Sequence, residues 1–237
     1  MQINTVTHSG NTIRNNLIFF RRFQRESCDI QSFISAEIVL PGDVIRSFKF
    51  IVCNLYSMNP EERAVAAVAD MMALSARTAP KGKGADSIRI RVKQGSDIAV
   101  LSAEMRSIGE EMGIGFFIRD AGNVEACDAC VLIGCEGGTN LGLNCGGCGF
   151  QTCAAMKEEY QASISGAPFS GPNCVIKMAD LGIAVGSAVK TASIHNVDNR
   201  IMYSAGVAAL RLGWLDTCSV AYGIPLKAGG KNIFFDR

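Results

Sequence analysis

The chain has little of what most acid–base and imidazole metal sites are built from. Two histidines, His8 and His195, occur among 237 residues. Histidine-rich zinc and iron sites are all but excluded on that count. Charged residues make up 19% and the formal net charge is +1, so there is no electrostatic case for nucleic acid or an acidic membrane surface. No apolar run reaches the ~18 residues of a transmembrane helix. The opening Met1–His8 lacks the basic and apolar regions of a secretory signal. Repeats and low-complexity tracts are missing too. The expectation is a cytoplasmic chain with no membrane and no nucleic-acid partner.

What is present is cysteine, ten residues of it, in a chain that is 48% hydrophobic. That is enough apolar matter for one ample core. Ten thiols without an export signal argue against a disulfide scaffold and for metal or redox use in a reducing compartment. Cys145-Gly-Gly-Cys148-Gly-Phe-Gln-Thr-Cys153 sets three of them in a glycine-rich turn. Thiolates are the usual ligands of iron–sulfur clusters, and the ligands must converge on a small core. Glycine lets the backbone fold back that tightly, and successive N–H groups in such a turn can face an anion. Cys174 is the best fourth ligand, because it follows the turn Phe169–Asn173 and precedes a helix, whose N-terminus favours thiolate. Four thiolates also make a structural zinc site, so zinc stays open as the competing metal. The uneven spacing with one distant cysteine favours a cluster.

Cys127, Cys130 and Cys135 repeat the same spacing. Cys130–Gly134 reads as an extended buried strand, whose neighbours point to opposite faces. These three are expected to pack as small hydrophobes, with Cys135 at the strand end toward the cysteine loop. Cys28, Cys53 and Cys218 read as structural.

Composition breaks near Met58. Residues 1–57 hold one alanine, two glycines and six of the twelve phenylalanines, and carry six basic against four acidic residues. Residues 58–237 are rich in alanine and glycine. Met58-Asn-Pro-Glu-Glu-Arg has the form of a beginning, with Asn59 as helix cap, Pro60 at the first helical position and acids in the first turn. The expected organisation is an N-terminal extension, 1–57, with two short strands around Pro41-Gly42-Asp43. Its composition raises the expectation that it is not native coding sequence. A single domain, 58–237, follows, with its cluster loop at 141–174.

Periodicity predicts a helix over 60–78, a strand over 87–92, a helix capped by Asp97 and running to Met112, and a short strand at Gly115–Arg119. A buried strand lies within 124–134, and helices follow at 154–164, 175–193 and 200–212. A strand at 219–224 ends at Pro225. Strands and helices intermix without strict alternation, which reads as an α/β or α+β sandwich. His195 reads as a helix-end residue and Tyr222 as core.

The body from about Met58 to Arg237 resembles a group described as ferredoxin-domain-containing proteins. The matching stretches are Ala76–Asp86, Leu141–Gly149, Asp180–Ala184, Gly223-Ile-Pro225 and Phe235-Asp-Arg237. That resemblance implies a [4Fe-4S] cluster and gives no settled reaction. The cysteine loop alone also resembles the four-cysteine [4Fe-4S] module of corrinoid iron–sulfur proteins and of a membrane electron-transport subunit. The gap from Cys153 to Cys174 is longer here, so the likeness holds most tightly for Cys145, Cys148 and Cys153. A looser resemblance is to FMN-dependent nitroreductases, through Arg77, Lys81 and Lys83 after the first helix, a small-residue helix over 179–193, and Gly223-x-Pro225 followed by Lys227 and Lys231. It implies a nitroreductase-like sandwich of a mixed sheet and helices with an inserted cysteine loop. It further implies a homodimer, and FMN whose phosphate is met by both basic glycine loops. The alternative is that these lysines are solvated turn residues.

The functional expectation is an iron–sulfur redox protein that passes single electrons, with a bound flavin and a small substrate as an extension. A non-catalytic scaffold with a structural zinc or cluster is the alternative. An electron donor or acceptor protein is implied but not identified.

Overall fold

A computed structural model describes residues 25–26, 33–39, 45–51, 58–161 and 167–235. The chain divides into two compact units, Met1–Ser57 and Met58–Arg237. The first unit holds β1 (Arg25–Glu26), β2 (Phe33–Val39) and β3 (Ile45–Ile51) in an antiparallel sheet of order β1-β2-β3. The β2–β3 pair flanks Pro41-Gly42-Asp43, where the sequence places two short strands.

The second unit begins with α1 (Pro60–Thr78). Asn59 caps it in a reciprocal box: its side chain accepts from Glu62 N at 2.8 Å, and its own N–H donates to the Glu62 carboxylate at 3.2 Å. Such a box satisfies two donors that would otherwise be orphaned at the helix start. A turn at Gly82–Gly84 leads to β4 (Ile88–Gln94), followed by α2 (Ser96–Met112) and α3 (Gly115–Glu125). Next come β5 (Ala129–Cys135), the cysteine loop and α4 (Cys153–Glu158). The unit is completed by α5 (Val175–Ile194), β6 (Asp198–Asn199), α6 (Tyr203–Arg211) and β7 (Val220–Lys227).

The four strands form a sheet of order β4-β5-β7-β6, antiparallel at every described pairing. β5 is buried along its whole length, and its alternation divides the core in two. Ala129, Val131, Ile133 and Cys135 pack under α1 and α5. Cys130 and Leu132 pack on the other face, against α2, α3 and α6. The result is an α+β sandwich with helices on both faces of an antiparallel sheet, where the nitroreductase resemblance implies a mixed one. α6 lies so close to β7 that a Cβ on Gly206 would strike the Ala221 carbonyl, and one on Gly223 would lie 2.5 Å from Ala205 Cβ.

Four local expectations change. Gly115–Arg119 is helix: Phe117, Asp120, Ala121 and Val124 are buried at helical spacing, and the run Gly115–Ile118 hides that period when taken alone. Asp97 lies in the first turn of α2 and pairs with Lys93, while Gly95 occupies the cap. α4 ends at Glu158, and residues 162–164 of the predicted helix lie outside the described residues. β7 continues through Pro225 to Lys227. Leu226 O accepts from Asp128 N on the β5 side, so the Pro225 nitrogen faces the other edge. There it falls between the β6 pair at Leu226 and the bridge of Met202 to Gly223. The ladder is interrupted between those two points, which is where a strand tolerates proline.

Candidate metal and redox site

The cysteine loop runs along the N-terminus of α5. Gly142, Asn144, Gly146 and Gly149 all have left-handed backbone, at φ of 66°, 47°, 71° and 88°. Asn144 is the non-glycine among them, a residue type that visits this region more readily than most. Its side chain and backbone both reach Cys153. The Cys153 N–H donates to Asn144 Oδ1 at 2.8 Å, and the Asn144 N–H donates to Cys153 Sγ at 3.4 Å. Asn140 adds a donor to the Cys153 carbonyl at 3.2 Å and accepts from Gly142 N at 3.0 Å. Gly149 N closes onto Gly146 O at 2.9 Å, turning the chain around Cys148. Thr152 caps α4, accepting from Ala155 N at 3.2 Å.

Cys174 is the N-cap residue of the 20-residue helix α5 and is 5% exposed. Its N–H donates to Gly137 O at 2.8 Å. Ser219 fixes that corner, accepting from Gly137 N at 2.9 Å and pairing with Asn173 Oδ1 at 2.6 Å. Gly147 joins the loop to the helix: a Cβ there would lie 2.6 Å from Val175 Cγ1 and 3.8 Å from Cys145 Sγ. The loop is thus seated, at Gly147 beside Cys145, on the residue that follows Cys174. Cys145 is exposed, and Cys148 and Cys153 are half-buried. Among the described residues, no three cysteine, histidine or carboxylate side chains close into a metal-binding set. In kind the donors fit a thiophilic centre: four thiols, one sulfur already accepting a backbone N–H, and a helix N-terminus that favours thiolate.

Four other cysteines lie in the core or against it. Burial pushes the Cys127 thiol up to about 12, and partial burial beside Cys135 takes Cys218 also to about 12. Burial raises Cys130 well above the usual thiol range and raises Cys135 as well. Cys130 and Cys135 lie on opposite faces of the sheet. The second cysteine set therefore cannot meet at one metal.

The basic residues expected to hold a flavin phosphate are turned to protein partners. Arg77 pairs with Asp86 and donates to Ile88 O at 2.9 Å. For Asp86, burial raises the carboxyl, but the Ile88 N–H and Arg77 outweigh it and leave it below the usual range. Lys81 Nζ caps the end of α1, donating to the carbonyls of Ala76, Arg77 and Ala79. Lys83 Nζ donates to Leu141 O at 2.8 Å. Lys227 pairs with Asp128, and Lys231 is exposed beyond β7. Ile88 is in register with Cys135 and Gln94 with Ala129, which in turn faces Leu226. The first basic loop and Lys227 therefore stand at opposite ends of the sheet, roughly 20 Å apart at ~3.3 Å per residue. Within one chain the first basic loop and Lys227 thus stand apart. His195 is the C-cap of α5, and Tyr222 packs half-buried against the core.

Asn140 and Asn144 were not singled out from the sequence. An asparagine directly before the first cysteine, in a run of glycines, is the signal that could have found Asn144.

The family described as "Uncharacterized protein containing a ferredoxin domain (DUF2148)" matches residues 170–237. That stretch includes Cys174 but not the three loop cysteines. A protein from Archaeoglobus fulgidus, described as "Uncharacterized protein", is 46% identical over 167 residues, covering 70% of this chain and 88% of its own length. Among solved structures, a nitroreductase with bound FMN from Desulfitobacterium hafniense aligns at 12% identity with a TM-score of 0.46, over 73% of this chain and 81% of that one. Nitroreductase A from Vibrio parahaemolyticus aligns at 13% identity with a TM-score of 0.43, over 70% of this chain and 59% of that one. Through the family match and the archaeal relative, this chain belongs to the family of proteins containing a ferredoxin domain.

Proposed function

We propose that residues 58–237 form an iron–sulfur redox protein in which Cys145, Cys148, Cys153 and Cys174 hold one [4Fe-4S] cluster. The observation that carries this reading is the seating of Gly147, between Cys145 and Cys148, on Val175, the residue after Cys174. Membership in a family with a ferredoxin domain supports it. When bound, such a cluster gains and loses single electrons.

The chain's own residues prepare the place. The Asn144–Cys153 clamp orients one sulfur and gives it an N–H donor, a contact that tunes cluster potentials. The positive end of α5 favours the thiolate of Cys174. Leu143 and Val175, 47% and 40% exposed, flank the thiols with apolar surface. An exposed position lets a redox partner approach closely. Because Arg77, Lys81, Lys83 and Lys227 are engaged with protein groups, FMN and a small substrate stand as an extension of this reading.

The test is a spectrum of full-length protein purified without oxygen, with a flavin assay on the supernatant after denaturation. A broad absorption near ~400 nm that bleaches on reduction supports the cluster. Released FMN in addition extends the reading to a flavin-dependent oxidoreductase. A colourless protein carrying zinc contradicts it and leaves a structural metal site.

A further inference from the structure

The turn at Gly82–Gly84 is built into the cysteine site from both sides. On one side it is tied to α5. Gly82 N–H donates to Asp180 Oδ1 at 2.9 Å, and Lys177 Nζ donates to Ala85 O at 2.5 Å. Lys177 and Asp180 are 2% and 3% exposed and face each other at 3.7 Å. On the other side the turn is tied to the cysteine loop, through Lys83 Nζ on Leu141 O at 2.8 Å. Gly82 itself is wedged between the two: a Cβ there would lie 2.6 Å from Leu141 Cδ1 and 3.0 Å from Ile176 Cγ2.

Two features have no role in packing alone. Lys83 is a non-glycine residue with left-handed backbone, φ 53°, which costs about 1 kcal/mol or more in an ordinary turn. Lys177 is a buried cation in the first turn of a helix, where the helix end repels it. Desolvation adds to that cost. Both are retained where they join α5 to the loop.

We propose that Lys83 is a positioning residue for the loop thiols, and that the buried Lys177–Asp180 pair anchors the turn that carries it. The helix that presents Cys174 thereby also fixes the loop that presents Cys145, Cys148 and Cys153. The path runs from Asp180 to Gly82, from Lys83 to Leu141, and on through Asn140 and Asn144 to Cys153. The strut holds three thiols in register with the fourth. It rests on the reading of these cysteines as one site, but not on which metal fills it.

Lys83 is exposed, so its replacement leaves the fold intact. Full-length protein as purified is treated with iodoacetamide, and alkylation of each cysteine is followed by mass spectrometry. In parallel, metal loss to a chelator is timed. Lys83→Met is expected to speed Cys153 alkylation and metal loss about tenfold, the change in loop opening when one hydrogen bond from a charged group is lost. Its melting temperature should match wild type. Lys83→Arg, which keeps a cationic donor, should restore both rates. Lys190→Met, on the outer surface of α5, should change neither. Lys83→Met behaving as wild type in alkylation and metal loss overturns the proposal. A fall in melting temperature matched by faster alkylation of buried Cys130 also overturns it, because the residue would then serve the fold at large. A wild-type protein that is colourless but shows the Lys83 effect removes the cluster reading and keeps the strut.

Discussion

Replacing Asp180 with alanine separates a buried charge pair from ordinary packing. The carboxylate faces Lys177 Nζ at 3.7 Å and accepts from Gly82 N at 2.9 Å. With Asp180 gone, Lys177 keeps the Ala85 carbonyl as a partner but is left 2% exposed without its acidic partner. Removing one member of a buried pair costs about 3–5 kcal/mol, because the other charge stays uncompensated. In a folded body of this size each kcal/mol moves the midpoint by about 2–4 °C, so the expected fall is about 10 °C. The assay is thermal unfolding of the full chain at pH 7, with metal removed from both proteins so that loading does not enter. The double variant Lys177→Met/Asp180→Leu leaves no stranded charge, and it should recover most of the loss. A single variant within 2 °C of wild type, on the order of 1 kcal/mol or less, would refute the reasoning. A double variant as damaged as the single one would move the cost to the Gly82 hydrogen bond.

Other consequences follow from the same contacts. Gly206→Val should lower the melting temperature sharply, because its Cβ would meet the Ala221 carbonyl and lie 2.7 Å from Tyr222 Cα, and overpacking against backbone costs about 1–3 kcal/mol or more. Gly186→Ala, with open space at its Cβ, should be neutral or stabilising by roughly 0.5–1 kcal/mol. Cys153→Ala should abolish most metal loading by elemental analysis, whereas Cys130→Ala should keep it and lose about 1 kcal/mol of stability. Glu111, held by hydrogen bonds from Arg211 and then Ser107, has its carboxyl lowered to about 2. Its folded value lies below the unfolded one, near ~4.3, so its contribution is present above that unfolded value and lost as pH falls through about 2. Carboxyl titration by NMR should show Glu111 ionised at pH ~3.5, and Arg211→Gln should return it toward the usual range. An unchanged titration in that variant would remove Arg211 as the cause.

How far the sequence could be read depended on whether the signal was local. β5 was legible because Cys130–Gly134 is continuously apolar, and burial on both faces is what such a run requires. α1 was legible because Asn59, Pro60 and Glu62 carry their cap within four residues. α3 was not, because Gly115–Ile118 looks like a strand until Ala121 and Val124 are counted on the same face. Pro225 reads as a stop in the sequence, because which edge its nitrogen faces depends on the neighbouring strands. The cysteine loop stood out by spacing, yet its organiser Asn144 did not, since a side-chain clamp across nine residues leaves no periodic mark. The lysines after α1 are alike in sequence. Lys81 caps a helix and Lys83 holds Leu141. That difference is tertiary.

The most direct test of the central claim is the iron, acid-labile sulfide and zinc content per chain of full-length protein purified under argon. The account predicts about four irons and four sulfides with no zinc, falling together in Cys153→Ala. One zinc per chain with no sulfide would contradict it and leave the four thiols as a structural metal site.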